Sequence, residues 1–476
     1  MTSTNKIVQG GCVLAVLKQP WRALGRLRKA RPGAVTTLVA LALLLLHETA
    51  LGQSARPTLL MISIDGLRPD YVTAADTHGL KIPNLRRFLK EGAFADGVTG
   101  VIPTVTYPSH TTLITGVSPA KHGILGNTVF DPLGKNHSGW YWYAEDIKVA
   151  TLWDAARQAG MTTASIQWPA SVGARVNWNI PEIWRANTDE DAKLVRALAT
   201  DGLLSELEKA LGPYPRGQEI EDDERRGIYA VRLLETKRPH LLTLHLLALD
   251  HIEHDTGPLS RESFAVLERQ DAIVGKLRDA AERLAPGSTY VAVVSDHGFV
   301  KIEARFNPFP AFRDAGLIAV SRGGTVTDWT AMPWTAGGSA AVVLKDPSDA
   351  AILGEVRALL DKLASDPANG IDRVLDATTL HARGGYPNAS FLIGCKPGWF
   401  VGSGYTGAVA TKTNRPAGTH GHLPDLPELR AAFFVIGPGV PAGRSLGLID
   451  MRDIAPTLAQ RLGLALPSAE GKALLP

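Results

Sequence analysis

Cysteine is nearly absent, with two in 476 residues. That excludes a disulfide scaffold and any thiolate-rich zinc module. Cys12 falls in an N-terminal leader-like stretch, which leaves Cys395 without an intramolecular partner in the body of the chain. A membrane-length apolar run is missing as well. Ala34–Leu46 holds 13 residues, short of the roughly 20 that a spanning helix requires. A basic body is the third absence. Residues 1–55 contain seven Lys or Arg and one acid, a charge of +6, so the remainder carries −3 of the chain total of +3. Electrostatic binding of nucleic acid thereby loses its support. What is present is ordinary: 45% hydrophobic and 20% charged residues, with 47 Gly and 31 Pro and no repeat. Disorder, collagen and coiled coil are excluded, and the length suffices for a large core.

The run Ala34–Leu46 follows a basic stretch and precedes Ala50-Leu51-Gly52, with small residues at the −3 and −1 positions of a cleavage site. Residues 1–55 therefore read as a leader, either a secretory signal that is removed or an N-terminal anchor that stays. Export with cleavage is the expectation. It places the protein in the periplasm or outside the cell, with the membrane a partner only through an uncleaved leader.

From Arg56 onward, apolar runs alternate with amphipathic stretches. Thr58–Ile64, Leu241–Leu249, Thr289–Ser295 and Ala431–Ile436 are continuous rather than alternating, as strands covered on both faces are. Helical periodicity spans Thr151–Gln158, Ala192–Leu211 and Ser260–Leu284. The alternation predicts an α/β fold with a mostly parallel central sheet sandwiched by helices. Residues 56–476 form one catalytic domain in this reading. A small inserted cap lies within about 305–400, with a strand at Ala340–Leu344 and a helix at Asp349–Leu363.

Three of the strands end on an aspartate: Asp65, Asp250 and Asp296. Ligands of open α/β sheets bind beyond those carboxyl ends. Each aspartate alone is more simply a turn or a cap; three together, with histidines beside them, point to a site. His297 follows Asp296, His254 lies four residues after Asp250, and His420 sits in a Gly-flanked loop. Carboxylate oxygen and imidazole nitrogen are the usual zinc ligands where thiolate is lacking, and six suffice for two cations. His78, His137, His245 and His381 are left as ordinary core or surface residues, and His251 and His422 as neighbours off the preferred spacing.

The segment Pro103–His110 (PTVTYPSH) is a hydroxyl-rich turn ahead of a helix predicted over Thr111–Gly116. A hydroxyl there would meet backbone N–H groups and the positive dipole end, which suit an anionic phosphate. Without metal ligands nearby, a simple N-cap would be the better account.

These pieces together resemble the nucleotide pyrophosphatase/phosphodiesterase family of the alkaline phosphatase superfamily. The matching stretches are Ile64–Arg68, Pro103–Gly116, His122–Asn127, Asp250–Asp255, Ser295–Gly298 and Gly418–Gly439. The resemblance implies an alkaline phosphatase-like fold and two divalent metal ions, zinc by expectation. Asp65, Thr106, Asp296 and His297 would hold one; Asp250, His254 and His420 would hold the other. Thr106 would attack phosphorus and form a covalent intermediate, and Asn127 would donate to a phosphate oxygen. The implied activity is hydrolysis of phosphodiester or pyrophosphate bonds in small nucleotide-like substrates. A phosphomonoesterase or phosphonate hydrolase on the same scaffold is the enzymatic alternative, and a non-catalytic exported metal-binding protein is the alternative of another class. A sulfatase is disfavoured because no Cys or Ser stands in a C/S-x-P-x-R context near Thr106. One departure is Ser109, where the family usually has Asn; either residue could cap the helix expected there. Trp140, Tyr141, Trp142, Tyr143 and Trp168 could stack a base but read more simply as packing residues.

Overall fold

The structure, a computed structural model, describes residues 56–136, 139–183, 185, 188–413 and 417–476. The leader and His137 lie outside the described residues. In chain order the strands that matter here are β1 (Thr58–Ile64), β2 (Ala93–Phe94), β3 (Thr163–Ile166), β4 (Trp178–Ile180), β5 (Leu241–Leu246) and β6 (Thr289–Val294). They continue with β7 (Ala331–Ala336), β8 (Ser339–Leu344), β9 (Ile371–Asp376), β10 (Ala389–Cys395), β11 (Phe433–Ile436) and β12 (Arg444–Ser445). The central sheet has eight strands in the order β12-β2-β11-β6-β1-β5-β3-β4. Its middle, from β6 to β4, is parallel, and β11 runs antiparallel beside β6.

The continuous apolar strands have a simple cause. Successive side chains of a strand point to opposite faces. Leu60, Ile62 and Ile64 of β1 join one buried cluster, with Phe88, Tyr229, Leu233 and Val274. Leu59 and Met61 join another, with Leu113, Ile114, Trp153 and Leu458. Both faces are covered, and each such side chain contributes about 1.5–3 kcal/mol by leaving water. The helices include α1 (Thr106–Thr115), α2 (Ile220–Lys237), α3 (Ala248–Thr256), α4 (Arg261–Leu284) and α5 (Ala350–Ser365). Strands β7, β8, β10 and β9 form a second, antiparallel sheet. It shares an apolar cluster with α5 through Val342, Ile393, Val356 and Leu360. Among the described residues, no helix is long and apolar enough to cross a membrane.

Three expectations are corrected. The strand from Leu241 ends at Leu246, and Asp250 stands instead in the first turn of α3. The single helix expected over Ala192–Leu211 is two, Asp189–Leu198 and Leu203–Leu211: the backbone turns extended at Ala199, and the second helix starts after Gly202 in a left-handed conformation. The third concerns α1. It begins at Thr106, five residues earlier than expected, so the hydroxyl-rich segment is helix rather than turn. Pro108 is compatible with this because the N–H groups of a first turn have no helical acceptor.

Candidate metal centre and nucleophile

Parallel pairing puts the carboxyl ends of β1, β5 and β6 on one edge of the sheet. Asp65 is the residue after β1, and Asp296 is two residues after β6. Asp65, Asp296 and His297 are buried, at 2%, 0% and 0% exposure. Gly66 makes the turn between them. Its φ is +76°, and its N–H donates to Asp296 Oδ1 at 3.2 Å. A β-carbon there would stand 3.0 Å from Glu253 Oε2, so the turn requires glycine. His297 Nε2 lies 3.3 Å from Asp65 Oδ1 and 3.1 Å from Asp296 Oδ2. These three residues form the inner cluster, whose ligand atoms all fall within 4.8 Å of one another.

The outer cluster is assembled by α3 and a loop. Asp250 and His254 are one helical turn apart, with His254 Nε2 3.5 Å from Asp250 Oδ1. His420 Nε2 lies 3.7 Å from the same oxygen. The His420 ring stacks on His297, with centroids 3.6 Å apart and planes 8° apart. Ligand atoms of Asp250, His297 and His420 also lie within 4.8 Å of one another, a group that does not include the expected ligand His254. The second sheet fixes the His420 loop. The β7–β8 turn presses so closely on it that a β-carbon on Gly421 would come 1.9 Å from the Ala336 carbonyl oxygen.

Thr106 is the first residue of α1 and is 9% exposed. The cap position is Val105, with no side-chain cap bond, so Thr106 is not an N-cap. The Thr106 carbonyl accepts from His110 Nδ1 at 2.9 Å. A carbonyl only accepts, so Nδ1 carries the proton and Nε2 accepts from the Ser63 hydroxyl at 2.8 Å. His110 Nδ1 is also 3.6 Å from Asp296 Oδ2, which ties the start of α1 to the inner cluster. Asn127 Oδ1 accepts from the Tyr107 N–H at 2.9 Å. That contact fixes which end of the amide is oxygen and leaves Nδ2 as the free donor end. Ser109 is buried within the helix with its hydroxyl unpartnered, so it caps nothing.

The donor set fits divalent cations on an observation independent of spacing. Asp65 Oδ1, Asp250 Oδ1, Asp296 Oδ2 and His297 Nε2 are buried without a hydrogen-bond partner. Four orphaned polar atoms in two adjoining clusters are costly unless a ligand completes them. Oxygen and imidazole nitrogen without thiolate suit zinc-like ions. The electrostatics agree. Burial, then the Asp296 and Asp250 carboxylates, holds the Asp65 pKa well above the usual carboxylate range. Burial opposes charge on His297, yet Asp296, Asp65 and Asp250 outweigh it and hold its pKa up at about 9. An excess of buried negative charge draws positive charge in.

Residues left in the ordinary class, or never singled out, surround this set. His245 was expected to be a plain core residue. It is wholly buried, but its Nε2 lies 3.0 Å from Asp65 Oδ2 and its Nδ1 3.0 Å from Glu182 Oε2. The available signal was a histidine inside an otherwise apolar strand. His110 backs both Thr106 and Asp296, and burial, then His245, pushes its pKa down to about 3. Glu253 is buried on α3, with Oε1 taking the Tyr71 hydroxyl and Oε2 unpartnered. His251 is away from the site, 3.3 Å from Glu219, and His422 binds the Trp399 carbonyl at 2.8 Å. Trp168 is fully buried against His110, at 5.0 Å between centroids. Trp140 stands edge-on to Tyr107 at 5.3 Å.

The sequence profile of the family described as type I phosphodiesterase/nucleotide pyrophosphatase matches residues 59–423. The human ectonucleotide pyrophosphatase/phosphodiesterase family member 1 is 27% identical over 251 residues, which is 51% of this chain and 23% of that protein. Venom phosphodiesterase 2 of Crotalus adamanteus is 26% identical over 255 residues, 51% of this chain and 27% of that protein. The matched region thus spans about a quarter of the length of these curated relatives. Murine ectonucleotide pyrophosphatase/phosphodiesterase 5, solved as an inactive variant in complex with AMP, superposes with a TM-score of 0.62 at 18% identity. The alignment covers 87% of this chain and 97% of that one. The human protein of the same name gives 0.60. These likenesses show the fold: an α/β sandwich as the alternating strands and helices predict, of the alkaline phosphatase-like kind that the resemblance implies. With the family profile covering most of its length, the chain belongs to the type I phosphodiesterase/nucleotide pyrophosphatase family.

Proposed function

We propose that this protein hydrolyses phosphodiester or pyrophosphate bonds of small nucleotide-like substrates, with Thr106 as nucleophile and two divalent cations, zinc by expectation. One observation carries the reading: four unpartnered ligand atoms from three separate chain segments converge beside the helix that begins at Thr106. Asp65, Asp296 and His297, with Thr106, would hold one cation; Asp250, His254 and His420 would hold the other. When bound, the cations would supply Lewis-acid stabilisation of the phosphoryl oxygens and lower the pKa of the threonine hydroxyl.

The residues of the chain perform the rest. The N-terminus of α1 favours an anionic phosphoryl group, by about 0.3–1 kcal/mol at the surface and more when buried. Asn127 Nδ2 donates to a non-bridging oxygen. Thr106 Oγ1 bonds to phosphorus as the bond to the leaving oxygen breaks, and its proton passes to solvent. Water then attacks phosphorus of the resulting nucleotidyl-threonine diester, the Oγ1–P bond breaks, the nucleotide leaves as a monoester and Thr106 regains a proton. The second sheet, through its contact at His420, supports reading residues of about 305–400 as an inserted cap that shapes the cleft. The leader-like segment supports export to the periplasm or beyond.

The test is turnover of a nitrophenyl phosphodiester by purified protein. Loss in EDTA, recovery with zinc and loss in Thr106→Ala are expected; full activity in Thr106→Ala would overturn the chemistry. The ratio of kcat/KM for a diester over a monoester decides between this activity and the phosphomonoesterase alternative.

A further inference from the structure

The two clusters are not braced alike. Asp65 meets a buried partner on one oxygen only. Its Oδ2 lies 3.0 Å from His245 Nε2, whereas Oδ1 is unpartnered and 3.3 Å from His297 Nε2. The carboxyl torsion of an aspartate is broad and close to two-fold, so without His245 the two oxygens would be interchangeable. His245 is held in its turn. Its Nδ1 faces Glu182 Oε2 at 3.0 Å and the Gln167 carbonyl at 3.1 Å. Both are acceptors, so Nδ1 carries a proton and the ring orientation is set. The His110 ring packs against it at 4.3 Å between centroids.

The arrangement crosses the sheet. Gln167 follows β3, Glu182 follows the edge strand β4, His245 lies in β5, and Asp65 ends β1. In register His245 stands beside Ser63, two residues before Asp65. Glu182 and His245 are 1% and 0% exposed, so both bonds lie away from bulk water. Glu182 also lies beside the buried Tyr107 phenol, next in sequence to Thr106.

We propose that the Glu182–His245 pair is a positioning device for the inner cluster: it occupies one oxygen of Asp65 so that the other is presented to a cation. The proposal rests on the two-cluster reading above. Neither residue is placed among the ligands, and neither touches substrate in this account.

The experiment is a zinc titration of metal-stripped full-length protein against a chromophoric chelator. It is done in a His254→Ala background, where the inner site is the one under test. His245→Leu is expected to weaken that site about 10–100-fold, the usual cost of losing a partner behind a metal ligand. His245→Gln, whose amide can still donate to Asp65, is expected to recover part of the loss. Glu182→Gln keeps an acceptor for Nδ1 and should stay near the parent, whereas Glu182→Leu should not. Circular dichroism of the stripped variants reports folding. If His245→Leu does not fold, His245→Gln and Glu182→Leu decide. Affinities for all folded variants within about twofold of the parent, against the 10–100-fold expected, overturn the proposal. Two controls separate its failure from that of its foundation. If the His254→Ala chain binds no zinc, or if Asp65→Ala leaves its affinity unchanged, the two-cluster reading itself falls, and the proposal with it.

Discussion

The inner and outer clusters share His297 as a neighbour but differ in every other respect. In the inner one the side chains of Asp65, Asp296 and His297 are 3%, 0% and 0% exposed. In the outer one Asp250, His254 and His420 are 17%, 43% and 9% exposed. The inner residues follow the ends of β1 and β6 and are tied to Gly66, His110 and His245. The outer residues sit on α3 and on a loop clamped by the second sheet. Helix α3 is itself held from α2. Asp223 accepts from the N–H groups of Leu247 and Ala248 at 3.1 and 2.9 Å, and from Arg226 and Gln270 at 2.9 Å each. A cation held by the inner cluster would therefore sit in a low dielectric with little access to water, and one held by the outer cluster would sit where solvent can compete. The comparison teaches that, on the proposed reading, the inner cluster suits retention of a cation beside Thr106 and the outer one suits exchange with solvent.

The largest expected effect lies at the nucleophile. Thr106→Ala should lower kcat by roughly 10⁴-fold or more even when excess zinc refills the inner cluster; recovery of activity with zinc would show that the hydroxyl acts only as a ligand. Next come the two clusters themselves. Asp296→Ala should cost activity more than His254→Ala, about 10³-fold against about 10²-fold, and only the His254 loss should be partly recovered by excess zinc. Equal recovery would erase the distinction drawn here. Removing the support of α3 follows. Asp223→Ala leaves the buried Arg226 unpaired, and should destabilise the fold by about 3–5 kcal/mol in denaturant unfolding; a change below about 1 kcal/mol would deny Asp223 its role.

The smallest effect concerns acid. His122 is buried, accepts from the Ile124 N–H at 3.1 Å, and burial pushes its pKa down to about 3. Between pH 6.5 and about 3 the unfolded state binds this proton and the folded state does not, so stability falls as pH is lowered through that window. His122→Gln should flatten that slope, measured by thermal melting from pH 7 to pH 4. An unchanged slope would remove His122 from the acid response and leave it to other buried groups such as His110 and His422.

The aspartates at the strand ends were legible in the sequence because a parallel sheet sends its carboxyl ends to one edge. Continuous apolar runs marked β1, β5 and β6 for the same reason: both faces are covered. The supporting shell was not legible. His245 sits among leucines and Glu182 follows a proline, with no spacing that relates either to Asp65, since their meeting depends on the order of strands across the sheet. The start of α1 was misplaced because Thr, Tyr and Pro are weak helix formers. Here the whole segment from Thr106 to Thr115 is buried, and packing overrides propensity. The helical stretch is broken where Ala199 turns extended, although its apolar periodicity runs on past that point. Asp223 and Arg226 carry an ordinary i,i+3 pattern, and nothing local distinguishes them from a surface pair.

The most direct measurement is an anomalous-scattering map from crystals of this protein grown with zinc. The account predicts two peaks on the carboxyl edge of the sheet. One lies among Asp65, Asp296 and His297 with Thr106 Oγ1 in reach, and the other among Asp250, His254 and His420. A map with no peak there, or with Thr106 turned away from both, would contradict it.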